Sequence, residues 1–270
     1  MEKPEFSIII VSYNTSDVLE ACLDSVFQSK ELNFEVVVID NNSSDDSVEM
    51  IRKNFKDVVL IQNSQNLGFA KAVNQGLKKA NGDFYLLLNP DTKVKNGAIN
   101  KLIDFAKLQR NFGAVGGKLI NTDDTVQASC YNLPSIMNAI AEYWFSKEGS
   151  YEKFIPDSQE PVEVEAIVGA AMLMPRFAIE KVGLFNERYF MYFEDLDWCR
   201  RAKRLGLKIF WHPEAQFIHL HGWSASKVSQ LSLDRLRESS KIYNGLLKYF
   251  FLSSIIFFGQ KFKGKKRMRL

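Results

Sequence analysis

Cysteine is scarce in this chain: three in 270 residues, Cys22, Cys130 and Cys199, far apart and with no CxxC pair. That spacing excludes a disulfide framework and a zinc ribbon. Glycine is missing where a dinucleotide fold needs it. The turn after the first apolar run reads Ser12-Tyr13-Asn14-Thr15, not G-x-G-x-x-G, so a nicotinamide or flavin cofactor is disfavoured. The start, MEKPEFSIII, lacks a basic segment followed by a long apolar stretch and a small-residue cleavage site, so no signal peptide is expected. Charge of one sign is also lacking. The net charge is +3, which argues against a dedicated nucleic-acid binder. The basic excess lies in 261–270, which carries Lys261, Lys263, Lys265, Lys266, Arg267 and Arg269 and no acid; the remainder is slightly acidic. A reduced, enzyme-sized intracellular chain is expected, with 46% hydrophobic residues to build its core.

Short, continuously apolar, β-branched runs occupy 6–11, 34–39, 58–61 and 84–88. Such runs suit parallel strands covered on both faces, because a half-exposed strand would alternate. Between them lie helical stripes. Val18, Leu19, Cys22, Leu23, Val26 and Phe27 trace one, with Thr15, Ser16 and Asp17 placed to cap it. Phe69, Val73, Leu77 and Ala80 trace another. A β-α-β-α order at roughly 25 residues per unit predicts a parallel sheet with right-handed crossovers. Ligands bind beyond the carboxyl ends of such strands. Those ends are polar: Ser12-Tyr13-Asn14, then Asp40-Asn41-Asn42-Ser43-Ser44-Asp45-Asp46, then Asn89-Pro90-Asp91-Thr92. Carboxylates there point to recognition of a base or ribose and to a divalent cation held through oxygen.

Six stretches, in order from about residue 5 to 224, carry a resemblance to a known family. They are 7–14 (SIIIVSYN), 36–47 (VVVIDNNSSDDS), 66–76 (NLGFAKAVNQG), 86–92 (LLLNPDT), 168–176 (VGAAMLMPR) and 183–206 (GLFNERYFMYFEDLDWCRRAKRLG), with FIHLHGWS following at 217–224. The sequence resembles the inverting, family 2 glycosyltransferases of the GT-A type, and within them the rhamnosyltransferase-like branch. The resemblance implies an α/β GT-A fold: a Rossmann-like, mostly parallel sheet flanked by helices. It also implies a nucleotide-diphosphate sugar donor and a divalent metal, Mn2+ or Mg2+. Asp91 matches the metal carboxylate and His219 the metal-binding histidine that precedes a small residue and a serine, here Gly222 and Ser224. Many relatives carry Asp where this chain has Asn89. Asp40 matches the base-recognising aspartate and Tyr13 stands where a ring can cover that base. Asn14, Asn42, Asn66, Gly68, Asn74 and Asn89 complete the expected nucleotide-sugar site, Gly68 by letting backbone approach the donor closely. Asn66 and Asn74 have an ordinary alternative as caps of the helix beginning near Phe69.

The segment Phe193-Glu194-Asp195-Leu196-Asp197 gathers three carboxylates ahead of a helical stripe of Leu196, Cys199, Arg200 and Leu205. The family's acid pair matches Glu194-Asp195, whose second member is the expected catalytic base. A helix dipole would keep Asp195 ionised. Asp197 is expected to pair with Arg200 one turn on. All three histidines, His212, His219 and His221, fall within ten residues. His219 and His221 would face opposite sides of a continuing strand.

The expected organisation is a GT-A domain over 1–224, with a nucleotide-sugar half at 1–120 and an acceptor half at 121–224. A helical, basic extension at 225–270 follows. Residues 121–165 carry no placed motif but hold Tyr143-Trp144-Phe145 and are expected to shape the acceptor side. The apolar run at 246–258 is shorter than the roughly 20 residues of a spanning helix. With the basic tail it suits an interfacial helix on anionic lipid, or else a helix packed on the domain. The expected activity is transfer of rhamnose from dTDP-rhamnose to a glycan or lipid-linked glycan acceptor in cell-surface polysaccharide synthesis. The expected location is the cytoplasm or the inner face of the membrane. Alternatives are another nucleotide hexose, such as UDP-galactofuranose, and a non-catalytic GT-A scaffold, for which Asn89 is the only support.

Overall fold

The structure is a computed structural model and describes residues 3–29, 32–220 and 230–262. The four apolar runs form β1 (Phe6–Ser12), β2 (Phe34–Asp40), β3 (Val58–Gln62) and β4 (Phe84–Leu88). Between them lie α1 (Ser16–Phe27), α2 (Ser47–Asn54) and α3 (Phe69–Lys79). All seven residues of β1 are buried, as a strand covered on both faces requires. Its side chains alternate between two cores. Ile9 joins Val37, Ile39 and Leu87 on one face, where α3 packs; Ile8 and Ile10 join Val36, Val38 and Leu86 on the other, under α1.

The chain continues through β5 (Thr92–Val94), α4 (Ala98–Leu108), β6 (Phe112–Ile120), β7 (Cys130–Tyr131) and α5 (Ile136–Tyr143). Next come β8 (Val162–Val164), β9 (Ala166–Ile167), β10 (Ala171–Pro175), α6 (Arg176–Val182) and α7 (Glu194–Arg204). Strand β11 (Lys208–His219) and helices α8 (Gln230–Asn244) and α9 (Leu246–Phe262) complete the described elements. One sheet runs β3-β2-β1-β4-β10-β6-β11-β5, with β8 also on β11. β10 is antiparallel to both β4 and β6, and β5 and β8 are antiparallel to β11; the other pairs are parallel. The chain order reverses at β1, with β2 on one side and β4 on the other, which opens a crevice beyond their carboxyl ends. β7 and β9 form a separate ribbon.

Two local expectations are corrected. Thr15 is the N-cap of α1 but makes no capping bond, because its Oγ1 pairs with Ser12 Oγ at 2.8 Å. Leu205 lies beyond α7 and is 44% exposed, so it is not part of the buried stripe. Helices α8 and α9 meet at 119° across Gly245, whose φ of +74° favours glycine. α9 packs on α5, with Leu252 and Ile256 against Ala139 and Tyr143. A Cβ on Gly259 would stand 2.8 Å from the Tyr143 carbonyl oxygen, so glycine is what lets the two helices approach this closely.

Candidate active site

The ends of β1 and β2 are tied to each other. Asn14, at φ +53°, receives the Ser44 N–H on its side-chain oxygen at 2.7 Å and donates its own N–H to Ser43 Oγ at 2.9 Å. Tyr13 projects beside this tie, 49% exposed. Asp40 is fully buried; Oδ2 accepts from Ser43 N at 3.0 Å, while Oδ1 is buried with no hydrogen-bond partner. A buried carboxylate oxygen left in that state is costly unless something donates to it. Asn42 is exposed at φ +68°, and the residue that supports this loop from inside is Asn41, whose amide donates to Gly68 O at 3.2 Å.

The third loop is built differently from expectation. Asn66 Oδ1 accepts from Gly68 N at 2.9 Å, closing a turn ahead of α3, so it caps backbone locally. Gly68 has φ +84° and ψ 169°, a region open essentially only to glycine. The space beside it is filled by protein: a Cβ there would lie 2.6 Å from the Phe190 carbonyl oxygen, which Phe69 N–H bonds at 2.6 Å. Gly68 therefore admits Phe190. Asn74 is 1% exposed; it exchanges two bonds with the Phe185 backbone, both at 2.9 Å, and donates to Glu187 at 3.0 Å. Its amide fastens α3 to 185–187.

Asp91 and His219 meet because β5 and β11 pair with Thr92 opposite His219. His219 Nε2 lies 3.4 Å from Asp91 Oδ1 and 3.4 Å from the Asn89 amide nitrogen. The other ring nitrogen is set by Gln127. The Gln127 amide NH2 donates to Asn121 Oδ1 at 2.6 Å and to His219 O at 2.7 Å, so its oxygen must face Nδ1, at 2.9 Å. An oxygen accepts only, so Nδ1 carries a proton, and Nε2 faces Asp91 Oδ1 and the Asn89 amide. Asn89 N–H also bonds Ala170 O at 3.0 Å, and Thr92 N–H closes the turn on Asn89 O at 3.2 Å.

The acid pair opens α7. Tyr192 and Phe193 precede it at φ +74° and +67°, two consecutive left-handed residues with side chains, which marks a strained entry. Glu194 is 6% exposed and its Oε2 is buried with no partner. Burial pushes its carboxyl well above the usual carboxylate range, and the Asp195 charge adds to this. Burial raises Asp195 too, which runs against the dipole expected to keep it ionised. It is opposed by N–H groups from Leu196, at 2.8 Å, and Gly169, at 3.1 Å, and by the Lys153 charge. Asp195 thus accepts two N–H bonds that favour its charged form, whereas Glu194 Oε2 accepts none. Asp197 bonds Arg200 at 2.7 Å and Arg201 at 2.9 Å, as a structural ion pair.

The sites are joined through one turn. Gly169 N–H reaches Asp195, and the next residue, Ala170, receives Asn89 N–H. Phe190 links Gly68 to the loop entering the acid pair, and the Gly169–Ala170 turn links that pair to Asn89. Sequence reading missed Gln127, Tyr131 and Lys153, all from the stretch without a motif. Tyr131 lies beside the acid pair; burial and then the Asp195 and Glu194 charges hold its phenol protonated. Lys153 Nζ stands 6.0 Å from the centre of the Tyr131 ring. His221, Gly222 and Ser224 fall outside the described residues, as do the tail positions 263–270.

The fold has counterparts among solved GT-A glycosyltransferases. A mannosyltransferase from Pyrobaculum calidifontis, solved with GDP-mannose and Mn2+, superposes with a TM-score of 0.61 at 17% identity, covering 95% of this chain and 70% of that one. GalNAc-T7, solved with UDP, GalNAc and Mn2+, gives 0.65 at 16% identity over 98% of this chain and 55% of that one. At this identity the likeness establishes the GT-A fold. The N-acetylglucosaminyl-diphospho-decaprenol L-rhamnosyltransferase of Mycobacterium tuberculosis is 27% identical over 253 residues, 87% of this chain and 82% of the relative. The pattern of Glycosyl transferase family 2 matches residues 7–183, and the chain belongs to that family; it is a glycosyltransferase.

Proposed function

We propose that the chain transfers rhamnose from a pyrimidine nucleoside diphosphate, dTDP-rhamnose, to a hydroxyl of a lipid-linked glycan, with inversion. The observation that carries this reading is the division of labour across the Gly169–Ala170 turn. On one side, Asp195 accepts N–H bonds from Gly169 and Leu196, which favour its charged form, while Glu194 Oε2 accepts none; an ionised Asp195 is available as general base for the acceptor hydroxyl. On the other side, His219 Nε2 and Asp91 Oδ1 converge at 3.4 Å, an imidazole and a carboxylate that fit a divalent cation. Asn89 and Gln127 complete that corner, one by its amide and the other by fixing the ring. Among the described residues no three His, Cys, Asp or Glu side chains converge, so the diphosphate of the sugar donor would complete the coordination. A bound Mn2+ or Mg2+ supplies charge neutralisation for the leaving diphosphate.

Asp40 Oδ1, buried without a partner, suits the N3–H of a uracil or thymine ring, and Tyr13 is exposed where it can cover that base. Tyr131, protonated, and Lys153 flank the acid pair on the acceptor side, within the half at 121–224. The lipid-linked acceptor and a cytoplasmic, membrane-peripheral location are supported by the name of the mycobacterial relative and by the basic tail. The test is a thermal-shift panel of thymidine, uridine, adenosine and guanosine diphosphates with and without Mn2+. A ligand bound only by the folded state stabilises it by RT ln(1 + [L]/Kd). Selective, Mn2+-dependent shifts with the pyrimidines are expected; equal shifts with all four bases would remove the role given to Asp40 and Tyr13.

A further inference from the structure

Helix α9 is apolar on both sides. One side packs on α5 through Leu252 and Ile256. The other exposes Leu247 by 90%, Phe250 by 60%, Phe251 by 57% and Phe258 by 57%, at spacings of three, four and seven that align them in one stripe. Ser254, within that stripe, turns its hydroxyl back to Phe250 O at 2.9 Å, so it presents little polarity outward. Lys261 ends the stripe. The residues just past α5 add Trp144, 48% exposed, and Phe145, 78% exposed, and the Trp144 indole N–H bonds Ile255 O at 3.1 Å, which makes the two sets one surface. A contiguous apolar patch of this kind on a soluble chain marks an interaction site.

The charge and length of α9 choose the occupant. α9 bears Lys248 and Lys261 and no acid, and the sequence after it adds five more basic residues, again with no acid. Its 17 residues measure about 26 Å, short of the roughly 30 Å hydrocarbon core, and among the described residues no single helix is long and apolar enough to cross a membrane. An apolar aromatic face bordered by cations, too short to span, matches a helix lying at the headgroup level of an anionic bilayer. The face is also tied to the acid-pair side of the cleft. Ser239 of α8 donates to Met191 O at 2.8 Å, Arg235 stacks on the Phe190 ring at 3.9 Å, and Lys248 holds Pro134 O at 3.2 Å, three residues past Tyr131.

We propose that the α5–α9 face docks on an anionic lipid bilayer in the plane of the headgroups and brings the acceptor side of the cleft to the membrane surface. Its purpose rests on the reading of the chain as a transferase to a lipid-linked acceptor; the docking itself rests on the face. The test uses full-length protein and co-sedimentation with vesicles of phosphatidylcholine, with and without phosphatidylglycerol, at low salt. Wild type should bind the anionic vesicles, more weakly without phosphatidylglycerol. The triple variant Phe250→Ser, Phe251→Ser, Phe258→Ser should lower partitioning about tenfold or more, because each lost apolar ring removes several buried CH2 equivalents. Leu247→Glu, at the most exposed position, should weaken binding in the same direction. Both variants should keep the wild-type Tm and the nucleotide-induced thermal shift. Vesicle binding that is absent in wild type, or unchanged in both variants, overturns the proposal. So does sedimentation velocity showing a dimer that Leu247→Glu dissociates while wild type ignores vesicles; the face would then belong to a second copy. Absence of a nucleotide shift in wild type would remove the proposed donor reading and leave the vesicle result standing.

Discussion

Asp195→Asn separates chemistry from scaffolding, and the structure sets both magnitudes. Asp195 accepts Gly169 N–H on Oδ2 and Leu196 N–H on Oδ1. Asparagine has one acceptor oxygen, so either orientation turns its NH2 towards one of those N–H groups. An unmet buried donor costs about 1–3 kcal/mol. The substitution also removes a charge that burial penalises, so a loss near the lower end, about 1 kcal/mol in urea unfolding, is expected. Removing a general base lowers turnover roughly 10²–10⁴-fold, equivalent to about 3–5 kcal/mol of barrier. Initial rates with nucleotide sugar and acceptor should therefore collapse in protein that is folded and still binds nucleotide. Glu194→Gln should cost less turnover, because Glu194 is not the residue assigned as base. It has a separate signature in stability. A carboxyl whose folded pKa is raised contributes stability that is fully present below its unfolded pKa, about 4.3, and is lost as pH rises through the folded value. Glu194→Gln abolishes that loss, so its stability relative to wild type should climb above about pH 4.3, by at most about 1.4 kcal/mol per pH unit. Near-normal turnover in Asp195→Asn with loss in Glu194→Gln would move the base to Glu194. No effect of either would reduce the acid pair to a helix start.

Asp91→Ala should weaken Mn2+-dependent nucleotide binding and lower turnover; wild-type activity that survives exhaustive chelation would refute a metal at Asp91 and His219. Gln127→Leu removes the acceptor that fixes the His219 tautomer, and a lost partner of this type weakens metal affinity about 10–100-fold, read by Mn2+ titration in the presence of thymidine diphosphate. Unchanged affinity would show that the ring needs no such partner. Gly68→Ala should lose about 1–3 kcal/mol from backbone strain alone, and also turnover, because its Cβ displaces Phe190 and the loop entering the acid pair. A stable, fully active Gly68→Ala would refute that linkage.

The sequence made the first sheet half legible because β1 to β4 are buried on both faces and read as unbroken apolar runs, with polar strand ends beyond them. Asp197 pairing with Arg200 was legible for the same local reason, a one-turn spacing on a helix. What escaped was long-range. Strand β10 enters antiparallel between β4 and β6, which no periodicity in its own five residues announces. Gln127 joins His219 from 92 positions away, and Tyr131 reaches the acid pair through the β7–β9 ribbon, so neither has a local signal. The contacts of Gly68 and Asn74 were hidden for a related reason: glycine and asparagine at a helix start suit a ligand or a packing neighbour equally, and only the fold brings 185–190 against both.

The seat of β11 has a consequence for how the protein is made. It is the last strand of the sheet in sequence, yet it lies between β6 and β5 and not at an edge. Asn89 and His219, 130 residues apart, meet only when it arrives. Closing so long a loop is slow, since its entropy must be met before the pairing rewards it. A chain emerging from the ribosome can complete β1 to β4 early, but until β11 emerges β6 and β5 each lack a neighbour, and their open edges invite wrong pairing. The Asp91–His219 corner is thus among the last features to form, and a protein truncated before 219 would keep the base-binding half of the cleft without its carboxylate–imidazole corner.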